Sequence, residues 1–298
     1  MKHLCVVSDY NFLPKGLTLY ESLLKNSKDF VLHYLCFDKK AYDKLSPYAC
    51  DTLKVYHDAE FLEKDGDLKH LKEDDRKYYS YALASYFSFK LMETLDQPIT
   101  YIDADIYFHQ DIDNVIDETS KKSVGLFRHR QYNMRWPNGN GWFNVGVVYF
   151  KNDEHGKSAL SWWADAVLHR KYPDLATCGD QRYLDAFVYI HLGVIHYENV
   201  FIDGHIGHGA PWQWQLYHFD TYQDDGCITW QGQKQKLVFS HFSQFEYSVE
   251  NNTYNPSTMH HCFTPIDLYQ TGGLKKIYDD YFEEIKKTHG KYNFEGDL

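Results

Sequence analysis

A short run of strand-forming residues that ends in two carboxylates constrains this chain more than any other stretch. Residues 99–102 (ITYI) follow a proline and favour a buried β-strand, and Asp103, Ala104 and Asp105 come directly after them. Side chains two residues apart in an extended chain point the same way, so Asp103 and Asp105 should share one side of the strand end. Two unpaired carboxylates this close repel each other and favour an arriving positive charge. The pattern indicates a site for a hard divalent cation, Mn²⁺ or Mg²⁺, which keeps ligand positions free for a substrate phosphate.

An isolated Asp-x-Asp triplet can also be a solvated acidic turn that binds no ligand. The surrounding sequence favours a binding site over such a turn. Strands alternate with helices, an order that predicts an α/β fold with a mostly parallel central sheet flanked by helices. In open sheets of this kind, ligands bind beyond the carboxyl ends of the strands. We expect strands over residues 3–8, 30–37, 52–56, 99–102, 124–127, 143–150 and 237–239, and helices over residues 17–25, 41–45, 76–95, 156–171 and 274–289. The charged segment 58–77 is expected to be mainly an exposed face or a mobile loop.

The charge balance argues against one large class of partner. The chain has 42 acidic and 31 basic residues, a formal charge of -11, and no block of Lys and Arg, so DNA or RNA is not expected. It contains no apolar run of about 18 residues and no signal-peptide core. We therefore expect a cytoplasmic protein without a transmembrane segment, and peripheral contact with a membrane stays open. The six cysteines lack C-x-x-C spacing, which argues against a disulfide framework or a zinc knuckle.

Two segments of the amino-terminal half are candidates for contacting a nucleotide. Asp9 and Tyr10 follow the first strand, at the same edge of the sheet as the acidic pair. They could hydrogen-bond to a base and stack on it, although a helix-capping turn explains them equally well. Arg76 begins a long helix and is either a contact for phosphate or sugar, or an exposed surface arginine.

The second half contains a strand and a loop with features of a binding site. Asn144 and Gly146 interrupt an apolar strand at alternate positions. Glycine there marks a close approach of ligand or backbone and Asn144 offers both a donor and an acceptor, so the strand either contacts a sugar or contains a structural bulge. Arg128 and Arg130 belong to a long loop, residues 128–142, with the composition of a binding loop. They could touch phosphate or an anionic acceptor.

Further candidates lie towards the carboxyl end. Trp212 and Trp214 fall in a segment rich in Gly, His and Trp, where they could stack on a sugar. His241 follows a short apolar strand and could supply a nitrogen ligand to a carboxylate-bound metal, although a lone histidine is usually structural. Asp180 precedes a predicted helix, and its common role in that position is a cap.

Taken in order, these motifs resemble those of the GT-A nucleotide-diphospho-sugar transferases, in particular glycosyltransferase family 8 and its bacterial relatives. The resemblance covers about residues 3–245 and rests on Asp103-Ala104-Asp105, Asn144-Val145-Gly146, Gly179-Asp180-Gln181 and His241. The chain departs from the family at one point. The family's late histidine usually precedes a Gly and a Lys that contact the diphosphate, whereas the sequence after His241 is Phe242-Ser243-Gln244-Phe245.

The resemblance implies a Rossmann-like GT-A domain over residues 1–245, with a nucleotide-binding half over about 1–110 and an acceptor half over about 111–245. A C-terminal helical tail over residues 246–298 would follow. The implied activity is metal-dependent transfer of a sugar, with retention, from a nucleotide-sugar to an acceptor. The donor would be UDP-linked, and the acceptor a glycan or lipid-linked glycan, such as a bacterial surface polysaccharide.

The resemblance also implies roles for individual residues. The ligands of Mn²⁺ or Mg²⁺ would be Asp103, Asp105 and His241. Close to the anomeric carbon, the catalytic residues would be Asp180, Gln181 and Asn144. The donor would contact Val7, Ser8, Asp9, Tyr10, Arg76, Asp103, Ala104, Asp105, Asn144 and Gly146. For the acceptor, the sequence itself suggests Trp212, Trp214 and Arg130.

Two other classes of function share some of these features. The 26 Tyr and 7 Trp residues also suit a non-catalytic carbohydrate-binding protein, which would not require the acidic pair. A sugar-phosphate nucleotidyltransferase shares the sheet and the metal carboxylates, but it usually has a Gly-rich loop with Arg or Lys after the first strand, unlike residues 8–11 here (SDYN). The sequence leaves open which sugar and acceptor are used, the stereochemical outcome and the oligomeric state.

Overall fold

A computed structural model describes residues 1–129, 140–190, 192–209, 226–230, 232–256 and 272–294. Its first part alternates strands and helices. In chain order these are β1 (Lys2–Ser8), α1 (Leu13–Asn26), β2 (Phe30–Cys36), α2 (Lys39–Leu45), β3 (Leu53–His57), α3 (Ala59–Leu62), α4 (Gly66–Asp74), α5 (Arg76–Leu95) and β4 (Ile99–Ile102). Helix α1 begins before its predicted start because Pro14 is accommodated in the first turn, where its missing N–H is not needed. The side chain of Asp75 caps α5 by accepting a hydrogen bond from the Tyr78 backbone N–H, at 2.9 Å.

The charged segment 58–77 is mainly exposed, as one of the two expectations had it, but it is helical and not a loop. It forms α3 and α4, and Leu68 and Leu71 of α4 are buried. Asp58 at its start is fully buried, and its carboxylate accepts hydrogen bonds from Lys72 Nζ at 2.5 Å and from the Tyr79 hydroxyl at 2.8 Å. These three residues, the Asp58 cluster, tie the segment to α5. The two helices were not predicted because two apolar residues in a charged helix give a weak periodic signal.

The second part of the chain adds strands to both sides of the acidic pair. Its elements are β5 (Ile106–Phe108), α6 (Asp113–Thr119), β6 (Val124–Arg128), β7 (Phe143–Phe150), α7 (Glu154–Leu168), β8 (Val200–Ile202), β9 (Gly207–Gly209), β10 (Cys227–Trp230), β11 (Gln233–His241), β12 (Glu246–Ser248), β13 (Thr253–Asn255) and α8 (Gly272–Lys291). The helix predicted after Asp180 is a 3₁₀-helix, Gln181–Phe187, and the Asp180 side chain does not cap it.

The main sheet has seven strands in the order β3-β2-β1-β4-β7-β6-β8. Strands β3, β2, β1 and β4 run parallel, β7 runs antiparallel to both of its neighbours, and β8 pairs parallel with β6. Alternate residues of β1 face opposite sides, so Cys5 and Val7 join the apolar cluster under α5 and α7, whereas Leu4 and Val6 join the one under α1. This architecture confirms the predicted α/β class with a mostly parallel sheet.

A smaller sheet lies beyond the acidic pair. Strand β11 pairs antiparallel with both β10 and β5, and parallel with β9. In the β5–β11 register His241 lies opposite Ile106. Because β5 begins directly after Asp105, this pairing brings His241 to the acidic pair.

The C-terminal helix α8 packs on the body of the domain, as the predicted helical tail. Thr18 of α1 donates a hydrogen bond to Thr288 of α8, with the two hydroxyl oxygens 3.0 Å apart. The rings of Phe242 and Tyr281 stack with centroids 3.8 Å apart. Within the described ranges, no helix combines the length and apolar character needed to cross a membrane. The domain limits and the cytoplasmic location stay predictions.

Candidate metal and donor site

The three residues proposed as metal ligands converge beyond the end of β4. Asp103 and Asp105 lie between β4 and β5, and His241 is the last residue of β11. Potential ligand atoms of all three lie within 4.8 Å of one another. His241 Nε2 is 3.0 Å from Asp105 Oδ1 and 3.6 Å from Asp103 Oδ2. We refer to these residues as the strand-end cluster.

Residues around the strand-end cluster orient its side chains. Asn144 Oδ1 accepts a hydrogen bond from the Gly146 backbone N–H at 2.8 Å and lies 2.9 Å from His241 Nδ1. An amide oxygen can only accept, so the geometry assigns a proton to Nδ1 and directs Nε2 towards the two carboxylates. The Tyr101 hydroxyl donates to Asp103 Oδ1 at 2.7 Å. A Cβ on Gly146 would lie 2.6 Å from both Asn144 Oδ1 and His241 Nδ1, so this position requires glycine.

The electrostatics show two carboxylates sharing one imidazole. Burial raises the pKa of Asp103 to about 6, with Asp105 adding repulsion and His241 opposing the shift. Burial acts in the same direction on Asp105, but the attraction of His241 and its hydrogen bond outweigh it and lower the pKa of Asp105. Burial disfavours the charged form of His241, but the same attraction from Asp105 outweighs it and raises the pKa of this histidine.

A third carboxyl group, that of Asp180, interacts with the cluster. Asp180 is 4% exposed, and burial, together with repulsion from Asp103, raises its pKa well above the usual range. The two carboxylates and the imidazole of the strand-end cluster are groups that bind a divalent cation. An ion there would offset the negative charge of the two carboxylates. The residues present therefore fit a divalent metal.

Gln181 is held beside Asn144. Its Oε1 accepts from the Val145 backbone N–H at 3.3 Å and lies 3.5 Å from Asn144 Nδ2, while its Nε2 donates to the Asn140 carbonyl at 2.8 Å. The structure thus brings together the predicted metal ligands and the predicted catalytic residues Asn144, Asp180 and Gln181. Their roles stay predictions.

The predicted nucleoside loop lies at the end of β1, next to β4. Val7 and Ser8 are buried, and Ser8 Oγ lies 2.7 Å from the Tyr34 hydroxyl. Ala104 is buried within the acidic loop. The Asp9 carboxylate accepts from the Phe12 backbone N–H at 3.0 Å, which is the turn-forming role. The Tyr10 ring is 5% exposed, so a base could stack on it only after a local rearrangement.

Arg76 lies close to this loop. Its guanidinium is 3.8 Å from Asp38 Oδ2, which also accepts a hydrogen bond from the Tyr10 backbone N–H at 2.9 Å. The Arg76 side chain is 61% exposed and therefore accessible to a ligand. Its proposed contact with the donor stays a prediction.

The remaining candidates are placed elsewhere or lie outside the described residues. Arg128 Nε donates to Asp203 Oδ1 at 2.7 Å, so this arginine neutralises a buried carboxylate. Arg130, Trp212 and Trp214 lie outside the residues that the structure describes.

Sequence reasoning missed Lys15, which lies in the first turn of α1 and is 6% exposed. Burial lowers its pKa, and the nearby charges of Asp105 and Glu246 oppose that shift. In the sequence, the only indication of a buried lysine was a single cationic residue among apolar residues at the start of a helix. Such a lysine is usually solvated.

The fold and the site together define a GT-A glycosyltransferase. The chain belongs to glycosyl transferase family 8, whose family model matches residues 3–205. This membership confirms the resemblance that the motifs indicated.

Relatives and solved structures agree with this assignment. Two uncharacterized Bacillus subtilis proteins are each 25% identical to this chain: YfnF over 254 residues, covering 81% of this chain and 80% of the relative, and YfnD over 259 residues, covering 83% and 79%. The galactosyltransferase LgtC, solved with donor and acceptor sugar analogues, matches with a TM-score of 0.55 at 12% identity, covering 96% of this chain and 95% of the other. Mouse xyloside xylosyltransferase 1 gives a TM-score of 0.51 at 17% identity, covering 85% and 99%. These structural similarities show the fold.

Proposed function

We propose that this glycosyltransferase moves a sugar from a nucleotide-sugar, UDP-linked, to a glycan or lipid-linked glycan, in a reaction that depends on Mn²⁺ or Mg²⁺. The observation that carries this proposal is the convergence of Asp103, Asp105 and His241 beyond the end of β4. Family membership favours sugar transfer over the nucleotidyltransferase and the non-catalytic carbohydrate-binding protein. A bacterial surface polysaccharide is the kind of acceptor we propose.

The proposed reaction has a simple balance. The bond between the anomeric carbon and the diphosphate oxygen breaks, and its electron pair passes to the nucleoside diphosphate. A bond to the acceptor oxygen forms, and the proton of the acceptor hydroxyl passes to the released diphosphate. A dication held by the strand-end cluster would supply Lewis-acid stabilisation of the leaving diphosphate.

The chain's own residues have two tasks in this scheme. Asn144 fixes the His241 ring, and Tyr101 fixes the Asp103 carboxylate, so the ligand atoms are oriented before the donor arrives. Gln181, which lies beside Asn144, and Asp180 would present amide and carboxyl oxygens to the sugar. Such oxygens stabilise the cation-like sugar that forms as the bond breaks. We propose retention of the anomeric configuration, as the family resemblance implies.

A thermal-shift panel of nucleotide-sugars, with and without Mn²⁺, tests the donor class and the metal requirement. A ligand that binds the folded state raises its apparent stability. We expect a rise in Tm with UDP-sugars only when Mn²⁺ is present. Asp105→Asn should abolish that rise and lower the turnover of the same donor by about 100-fold or more.

Asp43→Asn is the matched control, since Asp43 is a half-exposed carboxylate paired with Lys39 on α2. It should behave as wild type. Full turnover of a nucleotide-sugar in EDTA, or an unchanged response in Asp105→Asn, would overturn the metal assignment. The anomeric configuration of the product, measured by NMR, tests retention.

A further inference from the structure

Lys15 is a buried cation for which the described residues provide no ion pair in direct contact. Its side chain is 6% exposed, yet its Nζ forms no hydrogen bond and no close ion pair within the described part of the chain. Its Nζ lies over the ring of Phe12, 4.6 Å from the centroid. An ammonium group is seldom buried without a partner because losing its hydration is costly.

The charge of Lys15 interacts with residues of the strand-end cluster. Asp105 and Glu246 are the carboxylates that attract it, and Lys15 in turn influences both Asp105 and His241. Helix α1 directly follows the predicted nucleoside loop, and the Leu13 backbone N–H donates to the Tyr10 carbonyl at 3.2 Å. The same helix packs against β5, which begins directly after Asp105. If the loop binds the nucleoside and the strand-end cluster binds the metal, the diphosphate of the donor would lie near the first turn of α1.

The segment after His241 offers no alternative cation. Phe242 stacks on Tyr281, and Phe245 is 1% exposed in the same aromatic cluster beneath α8. The two negative charges of Asp103 and Asp105 would already balance the two positive charges of a bound dication. The leaving diphosphate therefore needs a further positive group close to the metal.

We propose that Lys15 binds the diphosphate of the nucleotide-sugar donor, with its ammonium contacting diphosphate oxygens beside the metal. This inference rests on the proposed function, because it assumes a nucleoside-diphosphate donor. Lys15 keeps its proton throughout and acts as a fixed charge. Its ammonium lies over the Phe12 ring, and the diphosphate would give it an anionic partner.

The test compares Lys15→Met with wild type by titration calorimetry of UDP and of uridine, both with Mn²⁺ present. We expect Lys15→Met to bind UDP about 10- to 100-fold more weakly, because it loses a charged contact. Uridine has no phosphate, so its affinity should stay unchanged. Lys15→Arg keeps the charge and should retain most of the UDP affinity.

Lys25→Met is the matched control, since Lys25 lies at the other end of α1 with a side chain that is 62% exposed. It should bind UDP as wild type does. Unchanged UDP affinity in Lys15→Met, or an equal loss for UDP and uridine, would overturn the role of Lys15 and leave the proposed function intact. If wild type with Mn²⁺ binds neither UDP nor any other nucleoside diphosphate, the proposed function and this inference both fail. Should Lys15→Met not fold, Lys15→Gln replaces it in the same comparison.

Discussion

Two buried acidic clusters in this molecule have opposite charge balance. In the Asp58 cluster, one carboxylate accepts hydrogen bonds from the Lys72 ammonium at 2.5 Å and the Tyr79 hydroxyl at 2.8 Å. In the strand-end cluster, Asp103 and Asp105 share the single imidazole of His241. A cation already balances the first carboxylate, whereas the second group keeps an excess of negative charge.

The difference shows why burial of a carboxylate does not by itself mark a functional site. A buried charge that is matched by its neighbours holds elements together, as the Asp58 cluster joins α4 to α5. A buried pair of like charges is tolerated when a ligand completes it. In the strand-end cluster, Asn144 orients the His241 ring and Tyr101 orients the Asp103 carboxylate. The fold therefore orients these side chains without balancing the charge of the two carboxylates.

The largest difference between the clusters should appear in the stability of metal-free protein. Asp58→Asn leaves the Lys72 ammonium, whose side chain is 27% exposed, without its anion. We expect this change to lower the free energy of unfolding by about 3 kcal/mol. Asp103→Asn removes a carboxylate that repels Asp105, so stability should stay the same or rise. Urea unfolding of both variants in EDTA measures the two effects.

The same pair of variants separates stability from binding. Asp58→Asn, where it is folded, should keep the Mn²⁺ affinity of wild type, and Asp103→Asn should lose it. Equal losses of stability in EDTA would mean that the strand-end carboxylates are as well balanced as Asp58.

A second test uses pH and the Asp103 carboxyl group. Burial raises the pKa of Asp103 in the folded state to about 6, and in the unfolded chain it is about 3.9. The folded protein therefore holds this proton more tightly, and the resulting stabilisation is lost as pH rises from about 4 through 6. Asparagine does not titrate, so the stability of Asp103→Asn relative to wild type should increase by about 1–3 kcal/mol between pH 4 and pH 7.

Unfolding midpoints in EDTA, measured across this pH range, provide the check. Saturating Mn²⁺ at pH 7 should reverse the order, because only wild type gains stability from the ion. A constant difference between the two proteins across the pH range would contradict the assignment of a raised pKa to Asp103.

Local sequence patterns were enough to predict much of the fold. Helix α5 (Arg76–Leu95) and strand β7 (Phe143–Phe150) have the predicted bounds, because each is a long apolar pattern with a clear start. Helices α3 and α4 were not predicted, since burial of Leu68 and Leu71 depends on the packing of α4 against α5. The alternation of elements was sufficient for the α/β class.

The site was predictable only where its residues are close in sequence. Asp103 and Asp105 share a strand end, a relation that follows from chain geometry. The position of His241 depends on the pairing of β11 with β5, which no local pattern reveals, so the sequence could offer it only as a candidate. Lys15 was missed because its burial results from the tertiary structure around the start of α1.

The smallest effect we expect compares one hydroxyl in each cluster. Tyr101 donates to Asp103 at 2.7 Å, and Tyr79 donates to Asp58 at 2.8 Å. Replacing either tyrosine by phenylalanine removes one hydrogen bond and should cost about 1 kcal/mol of stability. Tyr101→Phe should also weaken Mn²⁺ binding by about fivefold, because the Asp103 carboxylate loses the contact that orients it. Calorimetric titration with Mn²⁺ measures this difference.

The two tyrosine variants make the same chemical deletion next to a buried carboxylate, so a shared loss of packing or stability cancels between them. Tyr79→Phe should leave Mn²⁺ affinity unchanged, since Asp58 is not one of the proposed metal ligands and keeps its hydrogen bond from Lys72. Any difference in Mn²⁺ affinity then reports the orientation of a metal ligand. If both variants bind Mn²⁺ as wild type does, Tyr101 contributes only to stability and the ion itself orients Asp103.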